Sequence, residues 1–276
     1  MIRLESHGPV VRAEFSTPRT RLIGITVSCY LHRGVLVDTA FPDVRRELRE
    51  WVQRAGVRGA MVTHQHEDHA GNVNTLAKLG VPVWLAPETL QLLRAVAPIG
   101  FYRQFTWQPM RSLTREVTPF DPAPLEVIAT PGHSSDHHAL WDPAEEILFA
   151  GDLFLGVKVR VSHPRERPRA LVTSLRQMAA LRPRMMFCAH RGLVAEPTAA
   201  LSAKADWLER TIGEIDRLVD AGWADGAIRR AVLGREEVSA YFSFGDYSRS
   251  NLLRTVRASR SEGADKVPMV RERREA

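Results

Sequence analysis

Cysteine is scarce: Cys29 and Cys188 are the only two in 276 residues, and each is flanked by apolar neighbours. That excludes a disulfide framework and leaves two buried thiols. No apolar run approaches the ~18–20 residues that cross a bilayer, so no membrane association is expected. The opening MIRLESHGPVVRAEF has no basic flank, no long apolar run and no small-residue cleavage site. It does not read as an export signal, and a cytoplasmic protein is expected. Repeats and low-complexity tracts are absent too. What is there, 44% hydrophobic and 25% charged residues, is ordinary globular composition. The length suffices for one large core, or one core with a small appendage.

Acids are outnumbered, with a net charge of +6. Much of the excess falls in 156–184, which has eight Lys or Arg and one acid. Such a stripe can attract nucleic-acid phosphates or another anionic substrate, or it can be a solvated basic face.

Along the chain, 24–41 reads as two strands joined by His32-Arg33-Gly34. Val44, Leu48, Trp51 and Val52 recur at helical spacing, with Gly56 as the stop. GAMVT (59–63) is a short buried strand, NVNTLAKLG a helix and VPVWLAP another strand. This is an α/β rhythm. Further strands are expected at 125–130 and 185–190, a hairpin turning at Asp142-Pro143, and a helix over 170–181. From 199 the texture turns helical, with Trp207, Leu208, Thr211, Ile212, Ile215, Leu218 and Val219 at i, i+3/i+4 spacing. The expected division is a catalytic unit over 1–198, a helical segment over 199–257 and a flexible tail over 258–276.

Residues 63–72, THQHEDHAGN, crowd three histidines and an aspartate into six positions directly after the GAMVT strand. His64 and His66 alternate by two, so an extended segment points both imidazoles the same way. Asp68 and His69 follow where the chain turns. Four ligands from one loop cannot fill two metal spheres. His133 in TPGHSSDH, Asp152 in AGDLF and His190 in CAHRG are candidates to complete them, each at an expected strand end.

Together with LVDTA (36–40), the motifs THQHEDH, TPGHS, AGDLF and AHRG resemble the five ordered motifs of the metallo-β-lactamase-fold superfamily, over roughly residues 20–195. The resemblance implies an αββα four-layer sandwich with a C-terminal helical, winged-helix-like appendage. It implies one metal held by His64, His66 and His133 and a second by Asp68, His69 and His190. Asp152 would bridge them, and Asp38 would steady the ligand loop from behind. Asp68 and Asp152 are the expected catalytic carboxylates. Two divalent ions would provide hydroxide at neutral pH; zinc is the default for nitrogen and oxygen ligands, with manganese or iron accommodated.

Candidate substrate contacts are His137, His163, Tyr102 and Trp107, whereas His7 and His32 read as structural. HEDHAGN and TPGHS are similar to glyoxalase II motifs, while TPGHSSDHHALWDPAEEILFAGDLFLG also resembles the lactamase-like endoribonucleases. A metal-dependent hydrolase of a small acyl ester or thioester is expected. An RNA phosphodiesterase and an iron-dependent sulfur dioxygenase are the alternatives.

Overall fold

In a computed structural model the described residues are 1–260; the expected tail lies outside them from residue 261 on. Two sheets form. The first takes the order β1 (Ile2–His7), β2 (Val10–Phe15), β3 (Val27–His32), β4 (Val35–Val37), β5 (Gly59–Met61) and β6 (Val83–Trp84). Its first four strands pair antiparallel and its last three parallel. The second comprises β7 (Glu126–Ala129), β8 (His138–Asp142), β9 (Ile147–Phe149), β10 (Met185–Cys188) and β11 (Gly192–Val194), in the order β11-β10-β9-β8-β7.

Alternation along each strand explains the layering. In β4, Val35 and Val37 face the second sheet, where they meet Leu140, Ile147, Phe149 and Phe187 in one apolar cluster. Leu36 between them points the other way, into a cluster with Leu48, Trp51, Val73 and Leu76. The same division holds in β9, where Ile147 and Phe149 face inward and Leu148 outward. Strands buried on both faces read as continuous apolar runs, as these do.

Helices cover both outer faces. On the side of the first sheet the chain forms α1 (Pro18–Leu22), α2 (Arg45–Arg54), α3 (Glu67–Ala70), α4 (Val73–Lys78), α5 (Pro87–Arg94) and α6 (Phe101–Trp107). After β9 come α7 (Pro168–Ala180), α8 (Pro197–Asp220), α9 (Asp225–Ile228), α10 (Val238–Phe242) and α11 (Arg249–Ala258). The αββα sandwich with a helical C-terminal region is therefore present. Leu201, Leu208, Ile212, Ile215, Leu252 and Val256 share one apolar cluster with α7 and with Trp141 and Leu148 of the second sheet. Among the described residues no helix is long and apolar enough to cross a membrane.

Three of the eight cations of the basic stripe pair with acids of the C-terminal region. Arg160 pairs with Glu237 at 3.2 Å, Arg169 with Asp216 at 2.7 Å, and Arg176 with Asp206 and Glu209 at 2.5 Å. These three arginines thus tie the segment to α8 and to the start of α10. The hairpin β1–β2 and the strand β11 have no counterpart among the elements expected from the sequence.

Candidate metal centre

Four of the seven ligand candidates stand just beyond strands, His64 after β5, His133 after β7, Asp152 after β9 and His190 after β10, while His66 caps α3 and Asp68 and His69 lie in its single turn. Loop backbones there are free of ladder bonds and can aim side chains into one place. Two groups result. His64, His66 and His133 form one, and Asp68, His69, Asp152 and His190 the other, with the ligand atoms of each group within 4.8 Å of one another.

In the first group His66 Nδ1 lies 2.8 Å from His64 Nε2 and 3.1 Å from His133 Nε2. In the second, His190 Nε2 is 3.1 Å from Asp68 Oδ2, and Asp152 Oδ1 is 3.4 Å from His69 Nε2 and 3.5 Å from His190 Nε2. The other oxygen of Asp152 is 3.5 Å from His133 Nε2. One carboxylate therefore touches both groups.

A divalent ion fits these residues. His69 Nε2 and Asp152 Oδ1 are buried without a hydrogen-bond partner among the described residues. Leaving such atoms unmatched costs about 1–3 kcal/mol each, more when charged, and a cation shared by them removes that penalty. The donor set is all imidazole and carboxylate, which suits borderline divalent metals. The charges agree. Burial, reinforced by the neighbouring imidazoles, pushes His64 and His66 well below the usual histidine range, so both offer lone pairs. Burial also disfavours charge on His69 and His190, but the surrounding carboxylates, Asp152 foremost, outweigh it and raise both. A bound metal ion would take the place of those protons.

The outward ring nitrogens are fixed by the protein. His69 Nδ1 donates to Asp38 Oδ2 at 2.8 Å, and His190 Nδ1 donates to the Thr26 carbonyl at 2.9 Å. His133 Nδ1 faces Glu166 Oε1 at 3.3 Å. Asp38 also accepts from the Thr63 amide at 2.8 Å and the Thr63 hydroxyl at 2.9 Å. It does so with φ of 64°, a left-handed conformation that aspartate tolerates better than most residues. Fixing one nitrogen leaves the other bare toward the centre, the usual job of such partners.

Three supports have no sequence signature. The first is Asp136, which is buried. Its Oδ2 accepts from the Gln65 amide at 2.9 Å and the Thr89 hydroxyl at 2.8 Å, and its Oδ1 from the Ser134 hydroxyl at 2.8 Å. It thus clamps the loop of His64 and His66 to that of His133. Asp136→Ala is expected to weaken metal affinity by ~10–100-fold without unfolding the chain. Competition against a chelator measures this, and unchanged affinity would show that the loops hold themselves.

The second is Lys204 of α8, 4% exposed, whose ammonium donates to the Leu153 carbonyl at 2.7 Å behind the Asp152 loop. Burial pulls its pKa down to about 8. The folded state therefore binds fewer protons than the unfolded chain between pH 8 and the ordinary lysine value. The charge costs stability in full at pH 7, and that cost fades as pH rises through this window. Relative to Lys204→Met, the wild type should gain about 3 kcal/mol between pH 7 and 10.5. Denaturant unfolding of both proteins across that range checks it; parallel curves would refute the burial cost.

The third is Arg103 of α6, which forms an ion pair with the buried Glu67, the residue between His66 and Asp68.

The four expected substrate contacts divide. His137 is fully buried, with Nδ1 2.7 Å from the Thr130 hydroxyl and Nε2 accepting the Asp152 amide at 3.1 Å. Both nitrogens are spent inside the protein, so it braces the Asp152 loop instead of reaching a substrate. That loop turns at Gly151 (φ 48°), where a Cβ would come within 2.7 Å of His137 Nε2. Trp107 is also buried, packed on Phe41 with ring centres 5.0 Å apart and 6.3 Å from the His190 ring. It backs the second ligand group as core. Tyr102 and His163 are half-buried, and their rings lie 5.4 Å and 5.6 Å from that of Tyr247. His32 is structural, 2.6 Å from the buried Asp142.

The sequence profile of the Metallo-beta-lactamase superfamily matches residues 24–190, which include every ligand candidate. The chain belongs to the metallo-β-lactamase superfamily. With that fold, the His/Asp cluster implies divalent metal ions. Among superfamily proteins it is 29% identical over 190 residues to a hydroxyacylglutathione hydrolase of Chromohalobacter salexigens, covering 66% of this chain and 68% of that one. It is also 29% identical to a beta-lactamase-like protein 2 homolog of Caenorhabditis elegans, over 45% of this chain and 41% of the relative's length. A metallo-β-lactamase family structure from Thermus thermophilus superposes with a TM-score of 0.66 at 20% identity, covering 92% of this chain and 94% of that one.

Proposed function

We propose that the protein is a dinuclear metal-dependent hydrolase of an ester or thioester of a small acyl group. The observation that carries this reading is the position of Asp152, whose two oxygens face the two ligand groups separately. His64, His66 and His133 would hold one ion, and Asp68, His69 and His190 the other, with Asp152 shared. Zinc suits the donors best, and manganese or iron is accommodated. Bound ions supply Lewis acidity and bring the pKa of a shared water towards ~7. The chain's own part is to keep the imidazole lone pairs turned inward through Asp38, Glu166 and the Thr26 carbonyl. Asp68 is the carboxylate assigned to accept the proton that the attacking water gives up. The relative named as a hydroxyacylglutathione hydrolase supports an acyl-thiol substrate.

The test is metal analysis of protein purified without added metal, together with a panel of thioester, lactone and RNA substrates. Two zinc or manganese ions per chain and thioester or ester turnover are expected. RNA cleavage that vanishes in His66→Ala would replace the acyl reading with that of a phosphodiesterase. A single iron with oxygen uptake would replace it with a dioxygenase. The pairing of Arg160, Arg169 and Arg176 with acids takes up three of the eight cations on which an RNA substrate would draw.

A further inference from the structure

Val238, Tyr241, Phe242 and Phe244, on α10 and the turn after it, are 67%, 75%, 74% and 84% exposed. None of them belongs to the ligand groups or their supports. Three aromatic rings and a valine at that exposure leave about 500 Å² in water, a patch of the size that marks an interaction site. The exposure is set by the fold. Ser243, between the two phenylalanines, is buried, and its hydroxyl accepts the Tyr247 amide at 2.9 Å. The Asn251 amide donates to the Gly245 and Asp246 carbonyls at 2.8 and 3.0 Å. A turn fastened in this way holds its hydroxyl inward and its two phenyl rings outward.

The charge beside these side chains is cationic. An open hollow of about 600 Å³ borders Tyr241 and is lined by Arg229, Arg230, Arg235 and Glu236. Glu236 is engaged within the fold: it pairs with Arg229 at 3.7 Å and accepts the Arg249 and Ser250 amides at 2.8 and 2.9 Å. Glu237 pairs with Arg160 and Arg249. Asp246, the remaining acid of the turn, stands against Gly100. Arg230 and Arg235 are exposed and have no ion pair among the described residues. The loop that Ser162 ties to Ser248 through backbone bonds of 3.1 and 3.2 Å adds Lys158 and Arg165. Both are exposed stripe cations without an ion pair among the described residues.

Charge and shape decide the occupant. A second copy meeting this face with its own would bring Arg230 and Arg235 against their counterparts, and like charges oppose that pairing. A nucleic-acid strand stacks its bases on ring faces along a groove, and Val238 has no such face. The surface of an anionic bilayer takes every group present. Apolar tips enter the headgroup boundary while the guanidinium groups stay with the lipid phosphates. We propose that the α10 turn, with Arg230 and Arg235 beside it, is a peripheral docking surface for an anionic membrane. The expectation of no membrane association rested on the lack of a spanning run, which surface docking does not need. The hydrolase reading is independent of this surface.

Co-sedimentation of the full chain with POPC vesicles, and with POPC vesicles containing about 30% POPG, tests this. Binding to the POPG vesicles should be about tenfold tighter or more than to POPC, and should weaken with salt. Phe242→Ser combined with Phe244→Ser should weaken it by about tenfold or more. Arg230→Ser combined with Arg235→Ser should remove most of the preference for POPG. Arg45→Ser combined with Arg49→Ser takes the same charge from the exposed face of α2, and should leave binding within about twofold of wild type. Circular dichroism of all three variants should match the wild type, because every replaced side chain is exposed. No sedimentation with either vesicle overturns the proposal, and so does binding that survives the loss of both phenyl rings. A loss as large for the α2 pair as for Arg230 and Arg235 also overturns it, as adsorption of any basic chain. Sedimentation velocity without lipid, and titration with an oligouridylate, read the other two occupants. A dimer or an RNA complex that the phenylalanine substitutions abolish, without vesicle binding, would give the face to that partner instead.

Discussion

His66→Ala should lose most bound metal and at least about a thousandfold in turnover. Its Nδ1 is the atom within 2.8 and 3.1 Å of the other two imidazole nitrogens of its group, so its removal leaves two ligands where three stood. Two imidazoles and a shared carboxylate would hold a divalent ion far more weakly, and the loss of water activation would compound the loss of occupancy. The expected fold is unchanged, because His66 is half-buried at a loop and not part of the apolar clusters. Metal content and turnover measured on the same sample decide it. Full turnover with less than half a metal per chain would remove the metal from the mechanism.

Asp152→Ala should act on both metals at once, which separates a bridging carboxylate from a ligand of one ion. Its Oδ2 belongs with His133 and its Oδ1 with His69 and His190. The substitution also leaves His69 and His190 facing one carboxylate fewer. Both imidazoles should then titrate lower in the metal-free protein, since Asp152 is the foremost carboxylate raising them. Loss of one ion with retention of the other, at wild-type affinity, would show that Asp152 serves a single site.

The two groups of ligand candidates were legible because most of their residues are local. Three histidines and an aspartate within six positions identify themselves, and the remaining three stand at the ends of strands with an evident apolar pattern. Their supports were not legible, for a physical reason. Asp136 works through a backbone amide 71 residues away and a hydroxyl 47 residues away, and neither leaves a mark in the sequence around it. Nothing in the helical pattern after 199 sets Lys204 apart, yet its ammonium is buried against the Leu153 carbonyl. Tyr102 and Trp107 were expected at the substrate, but Trp107 turned inward as core and Arg103 between them formed the ion pair to Glu67 of the ligand loop. The partners of Arg160, Arg169 and Arg176 were hidden because they lie far along the chain, at Asp206, Glu209, Asp216 and Glu237. The hairpin β1–β2 was hidden by its mixed composition, with Arg3, Glu5, Arg12 and Glu14 interrupting the apolar alternation.

The most direct measurement is a stepwise zinc titration of metal-stripped protein, with bound metal and thioester hydrolysis followed together. The account predicts saturation at two ions per chain, with turnover that appears as the pair fills and is absent from the stripped protein. Turnover in the stripped protein equal to that of the loaded one, or no saturable binding at the seven ligands, would contradict it.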